Sequence, residues 1–311
     1  MLRFHAGTLH KESAAITKSA YKASMQMLQY TLINGKLLPS EEAHLSPQDR
    51  GFRFGDGLFE TLRVEDFTPY QWHEHMQRLQ TGASALRIAL DVRGLKPLAR
   101  MLIQKNHLQQ GFLRISISRG VGSEGYRPVG IASHTVLMET MPARAVEQLP
   151  CKLHLSNYQR PCANTVPAGS KLAYGITNTL ALLEAADHGC EDAVILSPSQ
   201  HVAETSSANL FWVKNAVVFT PPLSSACVAG TTRAAILRLW KDTIHEHAIT
   251  PKELLNADEI CISNVRYGVR ACVISGQKTP DYFPVTQQLA ALLEDDKMRD
   301  SMLHRDYWQK S

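Results

Sequence analysis

The chain has 311 residues, of which 44% are hydrophobic and 20% charged, and its formal net charge is +4 at pH 7. This length predicts two domains rather than one average domain. The charges are dispersed and no apolar stretch reaches the length of a membrane span, so neither a nucleic-acid partner nor a membrane partner is expected.

The first residues, 1–27, form a polar, mildly basic stretch rich in Ser, Ala and Lys, with Glu12 as its single acid. It lacks the apolar core of a secretory signal, so we expect a poorly ordered, disordered extension. Met25 and Met27 stand directly before the first strand-like run, which leaves an upstream start-site artefact open. A transit peptide is the third alternative.

Residues 28–142 predict a small N-terminal α+β domain. An apolar run at 30–33 is followed by Asn34-Gly35, the strongest short signal for a β-hairpin. Further strands are predicted at 58–64 and 112–118, where apolar and polar residues alternate, and a helix at 73–86. Proline with small or charged residues follows, so we place a linker at 143–149.

Residues 150–311 predict a larger C-terminal domain. Strands are expected at 152–155, 193–196, 209–213 and 216–219, with another beginning near 257 after a short helix, and longer helices at 176–188 and 231–245. Gly189 is a candidate C-cap for the first of these helices.

The six cysteines are widely and irregularly spaced and form no CxxC pair: Cys151, Cys162, Cys190, Cys227, Cys261 and Cys272. Their spacing favours buried free thiols in a reducing cytosol over disulfides or a zinc site. We therefore expect a cytoplasmic protein that binds no metal.

Two segments of the second half carry the strongest functional signal. Lys171 leads into the predicted helix, and Glu204 precedes small residues, 205–208, that would let a flat ring approach the backbone. A lysine amine can hold an aldehyde cofactor as a Schiff base, and a buried carboxylate can keep the ring nitrogen of that cofactor protonated. Taken singly, each residue is better explained as an exposed surface position, and only their neighbourhood reverses that.

A phosphate seat is predicted where Gly230-Thr231-Thr232 joins a glycine loop to a helix. Free backbone amides and hydroxyls at a helix N-terminus bind phosphate, although simple helix capping explains the same residues. Arg78 is a second phosphate candidate because its guanidinium fork suits that anion. A solvated helix face is its alternative.

In combination these motifs resemble the class IV aminotransferase family, enzymes of pyridoxal phosphate (PLP) fold type IV. The resemblance runs from about Tyr30 to Cys272. The N-terminal matches are at 34–35, 49–52, 54–61 and 75–79. The C-terminal matches are at 171, 184–185, 189, 204, 209–211, 220–221, 230–233 and 257–259.

The resemblance implies a mixed α/β (α+β) fold of two domains, D-amino acid aminotransferase-like, with the active site between the domains and pyridoxal 5'-phosphate as cofactor. Lys171 would be the Schiff-base lysine and proton shuttle, and Glu204 the partner of the pyridine nitrogen. Arg78, Thr231 and Thr232 would grip the phosphate. It also implies a homodimer in which a loop of the partner subunit, corresponding to 119–128, closes over the substrate.

Substrate choice depends on differences within the family, at Glu124 to Tyr126, Trp212 and Asn264. D-amino acid aminotransferases carry Arg-x-His where this chain has Glu124-Gly125-Tyr126, and the glycine-rich motif of branched-chain aminotransferases is absent at 205–209. Aminodeoxychorismate lyases are more similar. Their Asn-x-Phe-Trp, Thr-Pro-x-Leu, Gly and Arg motifs are matched at 209–212, 220–223, 230 and 233, although 172–174 departs from their pattern.

The motifs therefore favour an aminodeoxychorismate lyase, which converts 4-amino-4-deoxychorismate to 4-aminobenzoate and pyruvate in folate biosynthesis. An amino acid transaminase of the D-amino acid or branched-chain type is the alternative. A catalytically inactive PLP-binding protein is a second alternative, which the presence of both Lys171 and Glu204 disfavours. We expect the small-molecule substrate to contact Phe59, Tyr126, Asn264 and Arg266, with a surface position as the alternative for Arg266.

Overall fold

The computed structural model describes residues 29–122, 125–131, 133–143, 149–164 and 167–309. Within them are two β-sheets, one built from strands of 30–142 and the other from strands of 151–274. The predictions made for 1–27 and for the centre of the 143–149 linker fall outside the described residues.

The first sheet has six strands: β1 (Tyr30–Ile33), β2 (Lys36–Pro39), β3 (Gly57–Glu65), β4 (Thr68–Pro69), β5 (Gln110–Ser118) and β6 (Thr135–Pro142). Their order is β2-β1-β6-β5-β3-β4, and all neighbours are antiparallel. Asn34 and Gly35 both have positive φ, 49° and 80°, in the two-residue turn between β1 and β2. The predicted hairpin is therefore confirmed.

Helices cover one face of this sheet. They are α1 (Arg50–Phe54), α2 (Trp72–Ala85) and α3 (Leu95–Lys105), with short 3-10 helices at Ser40–Glu42 and Val92–Gly94. α2 buries Met76, Leu79 and Ala83 against Leu62 of β3 and Leu113 of β5. The buried residues of α2 recur three and four positions apart, as on one face of a helix, and the buried residues of β3 and β5 alternate along each strand. The elements predicted at 58–64, 73–86 and 112–118 are therefore confirmed.

The second sheet has eight strands: β7 (Cys151–Gln159), β8 (Asp192–Leu196), β9 (Val202–Thr205), β10 (Asn209–Lys214), β11 (Val217–Thr220), β12 (His245–Glu246), β13 (Glu259–Asn264) and β14 (Gly268–Ile274). Their order is β12-β11-β10-β13-β14-β7-β8-β9. The sheet is mixed, because the pairs β11–β12, β14–β7 and β7–β8 are parallel. Every strand predicted in 150–311 is present.

Four helices accompany the second sheet: α4 (Ile176–Asp187), α5 (Thr231–Leu239), α6 (Pro251–Leu254) and α7 (Pro284–Gln309), with a 3-10 helix at Leu223–Ser225. Gly189 has φ 65° just beyond the end of α4. This left-handed conformation is the one for which a glycine C-cap was predicted.

The helix predicted over 231–245 is too long. α5 ends at Leu239, and Trp240 is extended, with ψ 128°. Ile244 packs into the apolar cluster that also holds Ile236 of α5, and β12 then pairs with β11. A β-branched residue such as Thr243 or Ile244 has restricted rotamers in a helix and suits an edge strand, which explains the early end.

α7 packs on both sheets. The carboxylate of Glu259 caps its first turn, accepting hydrogen bonds from the backbone N–H of Val285 at 3.0 Å and of Thr286 at 2.9 Å. Leu289 enters a core of the second sheet, whereas Trp308 lies in the core of the first, with its ring 5.1 Å from that of Trp72. The helix thus ties the two halves together.

All six cysteines are free, and five of them are buried while Cys162 is exposed. In the part of the chain that the structure describes, no helix is long and apolar enough to cross a membrane. Across those same residues, no group of three or more His, Cys, Asp or Glu side chains is arranged to hold a metal ion.

Candidate active site

The segment around Lys171 joins the two sheets. The backbone N–H of Phe59 donates to the carbonyl of Lys171 at 2.9 Å, and that of Ala173 donates to the carbonyl of Gly57 at 2.9 Å. Lys171 was predicted at the entrance of a helix, but α4 begins only at Ile176. Pairing with the start of β3 holds the main chain of Lys171 extended and fixes where its side chain points.

The amine of Lys171 is poised as a nucleophile. Its Nζ lies 4.9 Å from the ring centroid of Phe59. Burial, reinforced by the nearby positive charge of Arg78, lowers the pKa of Lys171 to about 8. About half of the amines are therefore uncharged at mildly alkaline pH, which is the form that attacks an aldehyde.

Glu204 on β9 is a buried carboxylate with fixed neighbours. It is 4% exposed, and its Oε2 accepts hydrogen bonds from the backbone N–H of Val228 at 3.0 Å and from Nδ2 of Asn209 at 3.3 Å. Its Oε1 lies 3.2 Å from Nε of Arg160. Burial raises the pKa of Glu204, and Arg160 acts in the opposite direction.

Arg78 is oriented by a buried acid that was not predicted as a site residue. Its Nε and Nη2 donate to the two carboxylate oxygens of Glu60 at 2.7 and 2.6 Å, and its Nη1 donates to the carbonyl of Ala229 at 2.8 Å. Burial alone would raise the pKa of Glu60, but Arg78 brings it to about 2. Three of the five guanidinium N–H donors are used, which leaves two for an anion.

His75 links this ion pair to the start of α5. Its Nδ1 lies 2.7 Å from Glu60 Oε2, and its Nε2 lies 3.1 Å from Oγ1 of Thr231. Burial lowers the pKa of His75, so the ring is neutral. Nδ1 then carries the proton, because the carboxylate only accepts, and Nε2 accepts from the Thr231 hydroxyl. That hydroxyl is committed to His75, whereas the backbone N–H of Thr231 is not.

The N-terminus of α5 forms an anion seat. Thr231 and Thr232 are both buried there, and the first-turn N–H groups of a helix have no intrahelical acceptor. A Cβ on Gly230 would lie 1.9 Å from Oδ1 of Asn209, so only glycine allows this close approach. This geometry could hold an anion, and the phosphate seat stays a prediction.

These groups line one cleft between the two sheets. The cleft encloses about 90 Å³, and the predicted residues that line it are Arg78, Lys171, Glu204, Thr231, Thr232 and Asn264. The amine, the buried carboxylate and the anion seat match the aldehyde, the ring nitrogen and the phosphate of PLP, so the donor set fits that cofactor.

Asp192 shapes the wall of the cleft beside Glu204. Its Oδ2 accepts from the hydroxyls of Thr205 at 2.9 Å and Ser207 at 2.8 Å, and its Oδ1 accepts from the backbone N–H of Ser206 at 3.1 Å. The four small residues at 205–208 gave no sign of this anchor, because Asp192 stands in an earlier strand. The loop is therefore held rigidly where a flat ring would lie.

A second chamber of about 240 Å³ adjoins the cleft and shares Lys171 and Asn178 with it. Phe59 and Tyr174 line it, which places the predicted Phe59 beside the amine. The guanidinium of Arg114 on β5 lies 4.0 Å from the centroid of the same Phe59 ring. Arg114 was not predicted, although a lone arginine in an alternating apolar strand is the signal that could have revealed it.

The other predicted substrate residues are placed differently. Asn264 lines the cleft, but its Nδ2 donates to the carbonyl of Ser207 at 3.2 Å and its Oδ1 accepts from the backbone N–H of Arg266 at 2.8 Å. The Arg266 side chain is exposed and does not line the cleft. Tyr126 is 86% exposed and packs on Phe54 at 5.4 Å, outside the cleft of its own chain.

Two residues that were weighed for substrate choice fall elsewhere. Trp212 is buried in a core of the second sheet and stacks on Phe219 at 5.5 Å, so its role is in packing. Glu124 lies outside the described residues.

Comparison with known proteins agrees with this geometry. The profile of the family described as amino-transferase class IV matches residues 57–273. An aminodeoxychorismate lyase of Vibrio harveyi is 31% identical over 253 residues, covering 77% of this chain and 90% of that protein. A branched-chain-amino-acid aminotransferase of Escherichia coli is 29% identical over 250 residues, covering 75% and 81%.

Solved structures show the same two classes. The Escherichia coli branched-chain amino acid aminotransferase superposes with a TM-score of 0.79 at 28% identity, covering 84% of this chain and 92% of that chain. The 4-amino-4-deoxychorismate lyase of Pseudomonas aeruginosa gives 0.74 at 28% identity, covering 86% and 98%. The chain is thus similar to a lyase and to a transaminase to about the same degree.

Proposed function

The chain belongs to the class IV aminotransferase family, whose enzymes use PLP, and we propose that it is an aminodeoxychorismate lyase. It would convert 4-amino-4-deoxychorismate to 4-aminobenzoate and pyruvate. The observation that carries this choice is the second chamber beside Lys171, which encloses about 240 Å³. It offers room for a carbocyclic ring that carries an enolpyruvyl group, and the 31% identity to the Vibrio harveyi lyase supports it.

The residues that would hold the cofactor are those of the cleft floor. Lys171 would bind its aldehyde carbon, Glu204 its ring nitrogen, and Arg78 with the N-terminus of α5 its phosphate. At the phosphate, Thr232 would offer its hydroxyl, whereas Thr231 would offer its backbone N–H because its hydroxyl serves His75. When bound, PLP supplies an electron sink for the charge left on a substrate carbon after proton removal.

The chain's own residues would then carry out the proton transfers. The Lys171 amine removes the proton from the substrate carbon that bears the amine, since its lowered pKa makes it a base near neutral pH. It returns a proton to the enolpyruvyl group as the bond between the ring and the ether oxygen breaks. The ring leaves as 4-aminobenzoate and the side chain as pyruvate, so atoms and protons balance.

Arg114 would bind a carboxylate of this dianionic substrate. Its guanidinium stacks on Phe59 and is half-buried, and burial lowers the pKa of Arg114 while Glu139 acts in the opposite direction. Because Phe59 also contacts Lys171, a carboxylate held there would orient the substrate toward the amine.

An amino acid transaminase of the branched-chain or D-amino acid type is the second candidate. The similarity to the Escherichia coli branched-chain enzyme, with a TM-score of 0.79, favours it. Lys171 would remove the α-proton in that reaction too, so the floor of the cleft serves both chemistries. A catalytically inactive PLP-binding protein is disfavoured, because the lowered pKa of Lys171 is a feature of reactive lysines.

We also propose a homodimer, in which the loop at 119–128 reaches the cleft of a second copy. Arg50 of α1 fixes the backbone of Gly125 and Tyr126 in this loop by donating to their carbonyls at 2.8 Å and 3.1 Å. Ile176 and Leu183 on α4 are 64% and 58% exposed, an apolar surface that a partner would cover. Light scattering tests this proposal. A cytoplasmic location remains a prediction from the six free thiols.

The substrate is tested with purified holoenzyme in two reactions. One contains 4-amino-4-deoxychorismate, and the other contains D-alanine or a branched-chain amino acid with 2-oxoglutarate. We expect 4-aminobenzoate and pyruvate in the first reaction alone, with Lys171→Ala as the blank. Keto acid and glutamate in the second reaction alone would replace the lyase by the transaminase, and activity in neither would favour the inactive protein.

A further inference from the structure

Arg160 sits directly after β7, lines the second chamber and makes three polar contacts beside Glu204. Its Nε donates to the carbonyl of Ala226 at 3.1 Å and lies 3.2 Å from Oε1 of Glu204, and its Nη1 donates to Oδ1 of Asn178 at 3.3 Å. Its side chain is only 11% exposed. A guanidinium so enclosed keeps its charge and has little freedom to turn away from Glu204.

The protein fills the hydrogen-bond capacity of one oxygen of Glu204. An ionised carboxylate offers about four acceptor sites, two on each oxygen. Val228 and Asn209 donate to Oε2, whereas Arg160 lies 3.2 Å from Oε1 as an ion-pair partner and donates its Nε–H to Ala226 instead. Oε1 therefore keeps acceptor capacity for an N–H donor of a ligand bound in the cleft that Glu204 lines.

Burial opposes the charge that this site requires. Glu204 is 4% exposed, and a carboxyl group so placed gains a proton unless a cation compensates it. Lys171 and Arg78 also act on Glu204, and the Cys227 thiol lies nearby, with its pKa raised to about 12 by burial and then by the charge of Glu204. Among the described residues, only Arg160 lies within ion-pair distance of Glu204.

A neutral Glu204 would reverse the proton arrangement. As an acid it would donate to an unprotonated ring nitrogen instead of accepting from a protonated one. A pyridine nitrogen without its proton is a poorer electron sink. The cation beside Glu204 therefore decides on which of the two partners the shared proton resides.

We propose that Arg160 is a positioning residue that keeps Glu204 ionised and thereby keeps the ring nitrogen of bound PLP protonated. This inference rests on the PLP site of the proposed function but not on the choice of substrate. Asn178 supports it from α4, since its Nδ2 donates to the carbonyl of Ser206 at 2.6 Å while its Oδ1 holds Arg160.

The test is the ¹⁵N NMR signal of the ring nitrogen in holoenzyme loaded with ¹⁵N-labelled PLP, compared at neutral pH. The wild type is expected to show a protonated ring nitrogen. Arg160→Met keeps the length of the side chain without its charge, and it should move the signal toward the unprotonated position. Loss of an adjacent cation changes such an equilibrium by about 10- to 1000-fold. Arg160→Lys should restore the protonated signal.

Matched variants separate charge from folding. Arg270→Met removes an arginine that pairs with Glu191 on the second sheet and should leave the signal unchanged. Glu204→Gln should lose the protonated signal. Should Arg160→Met fail to fold, judged by circular dichroism, Arg160→Gln takes its place with the same expected shift.

The possible outcomes are distinct. A protonated ring nitrogen in folded Arg160→Met or Arg160→Gln, equal to that of the wild type, overturns the role of Arg160. If the wild type takes up no PLP at all, the cofactor site of the proposed function fails instead. Neither outcome depends on whether the enzyme is a lyase or a transaminase.

Discussion

The floor of the cleft and its rim differ in how their charges are paired. We define the floor as Glu60, Arg78, Arg160, Lys171, Glu204, Thr231 and Thr232, and the rim as Phe59, Arg114 and Asn264. On the floor, both acids form buried ion pairs with arginines. On the rim, Arg114 forms no ion pair among the residues that the structure describes, and its Nε donates to the hydroxyl of Ser116 at 3.3 Å.

The difference separates the constant part of the site from the adaptable part. Paired charges cost little to reorganise when a ligand arrives, so the floor is preorganised for one cofactor. Arg114 at the rim has no ion-pair partner among the described residues, so its charge is available to bind an anionic group of the substrate. The chain is similar to both lyases and transaminases. A common floor and a variable rim account for this similarity, because the two classes share the cofactor and differ in the substrate.

The largest expected effect comes from the amine of the floor. Lys171→Ala should lower turnover by about 10⁴-fold and abolish the visible absorbance of lysine-bound PLP, since it removes both the attachment and the base. Lys214→Ala is the control, because Lys214 pairs with Asp258 on the second sheet, far from this chemistry. Normal turnover in Lys171→Ala would relocate the active site.

The second effect is on stability. Glu60→Gln should lower the free energy of unfolding of the apoenzyme by about 3–5 kcal/mol, because it leaves the charge of Arg78 uncompensated in a buried place. Glu65→Gln breaks the more exposed pair with Arg63 and should cost less than about 1 kcal/mol. Urea denaturation measures both, and equal losses would mean that the floor is no better organised than the surface.

The stabilising charge of Glu60 also predicts a pH dependence. Its folded pKa of about 2 lies below its ordinary value of 4.5, so its contribution is complete above pH 4.5 and is lost as the pH falls toward 2. Glu60→Gln should flatten that part of the stability curve. A variant that loses stability in acid as steeply as the wild type would contradict this assignment.

A smaller effect is expected at the rim. Arg114→Met should raise the KM for 4-amino-4-deoxychorismate by about 10- to 100-fold, the loss of one charge-assisted contact, while PLP absorbance stays normal. Arg63→Met is the matched control, since Arg63 also stacks on a ring of this sheet, that of Phe112. An unchanged KM in Arg114→Met would remove Arg114 from the rim's function.

The smallest expected effect is a difference in PLP affinity between variants of two adjacent threonines of the floor. Thr232→Val should weaken PLP binding by about 1 kcal/mol, because it removes a hydroxyl free to face the phosphate. Thr231→Val should lower thermal stability and leave PLP affinity nearly unchanged, since its hydroxyl serves His75. Titration of both apoenzymes with PLP decides, and a greater loss of affinity in Thr231→Val would reverse the assignment.

Local patterns in the sequence sufficed for much of the fold. The Asn34-Gly35 hairpin and the alternating strands were predicted correctly, because turn chemistry and a period of two depend on neighbouring residues. The end of α5 was not, since the pairing of β12 with β11 comes from distant residues. α7 was missed as well, and the Glu259 that caps it belongs to β13.

The site was predictable to a similar extent. Lys171 and Glu204 were predicted from the other family motifs that accompany them in the sequence, and the structure brings both residues to one cleft. Arg160, Asp192 and Arg114 were missed because each acts on a segment far along the chain, as Asp192 does on the Ser206 loop. No local pattern marks Arg160 or Asp192, whereas Arg114 stands as a lone arginine in an alternating apolar strand.

The most direct measurement of the central claim is chemical trapping of the cofactor on the floor. Holoenzyme is reduced with borohydride, digested and mapped by mass spectrometry for a phosphopyridoxyl group fixed to lysine. We predict that the group is found on Lys171 and is absent from the peptide that contains Lys214. A phosphopyridoxyl group on any other lysine, with Lys171 unmodified, would contradict the account.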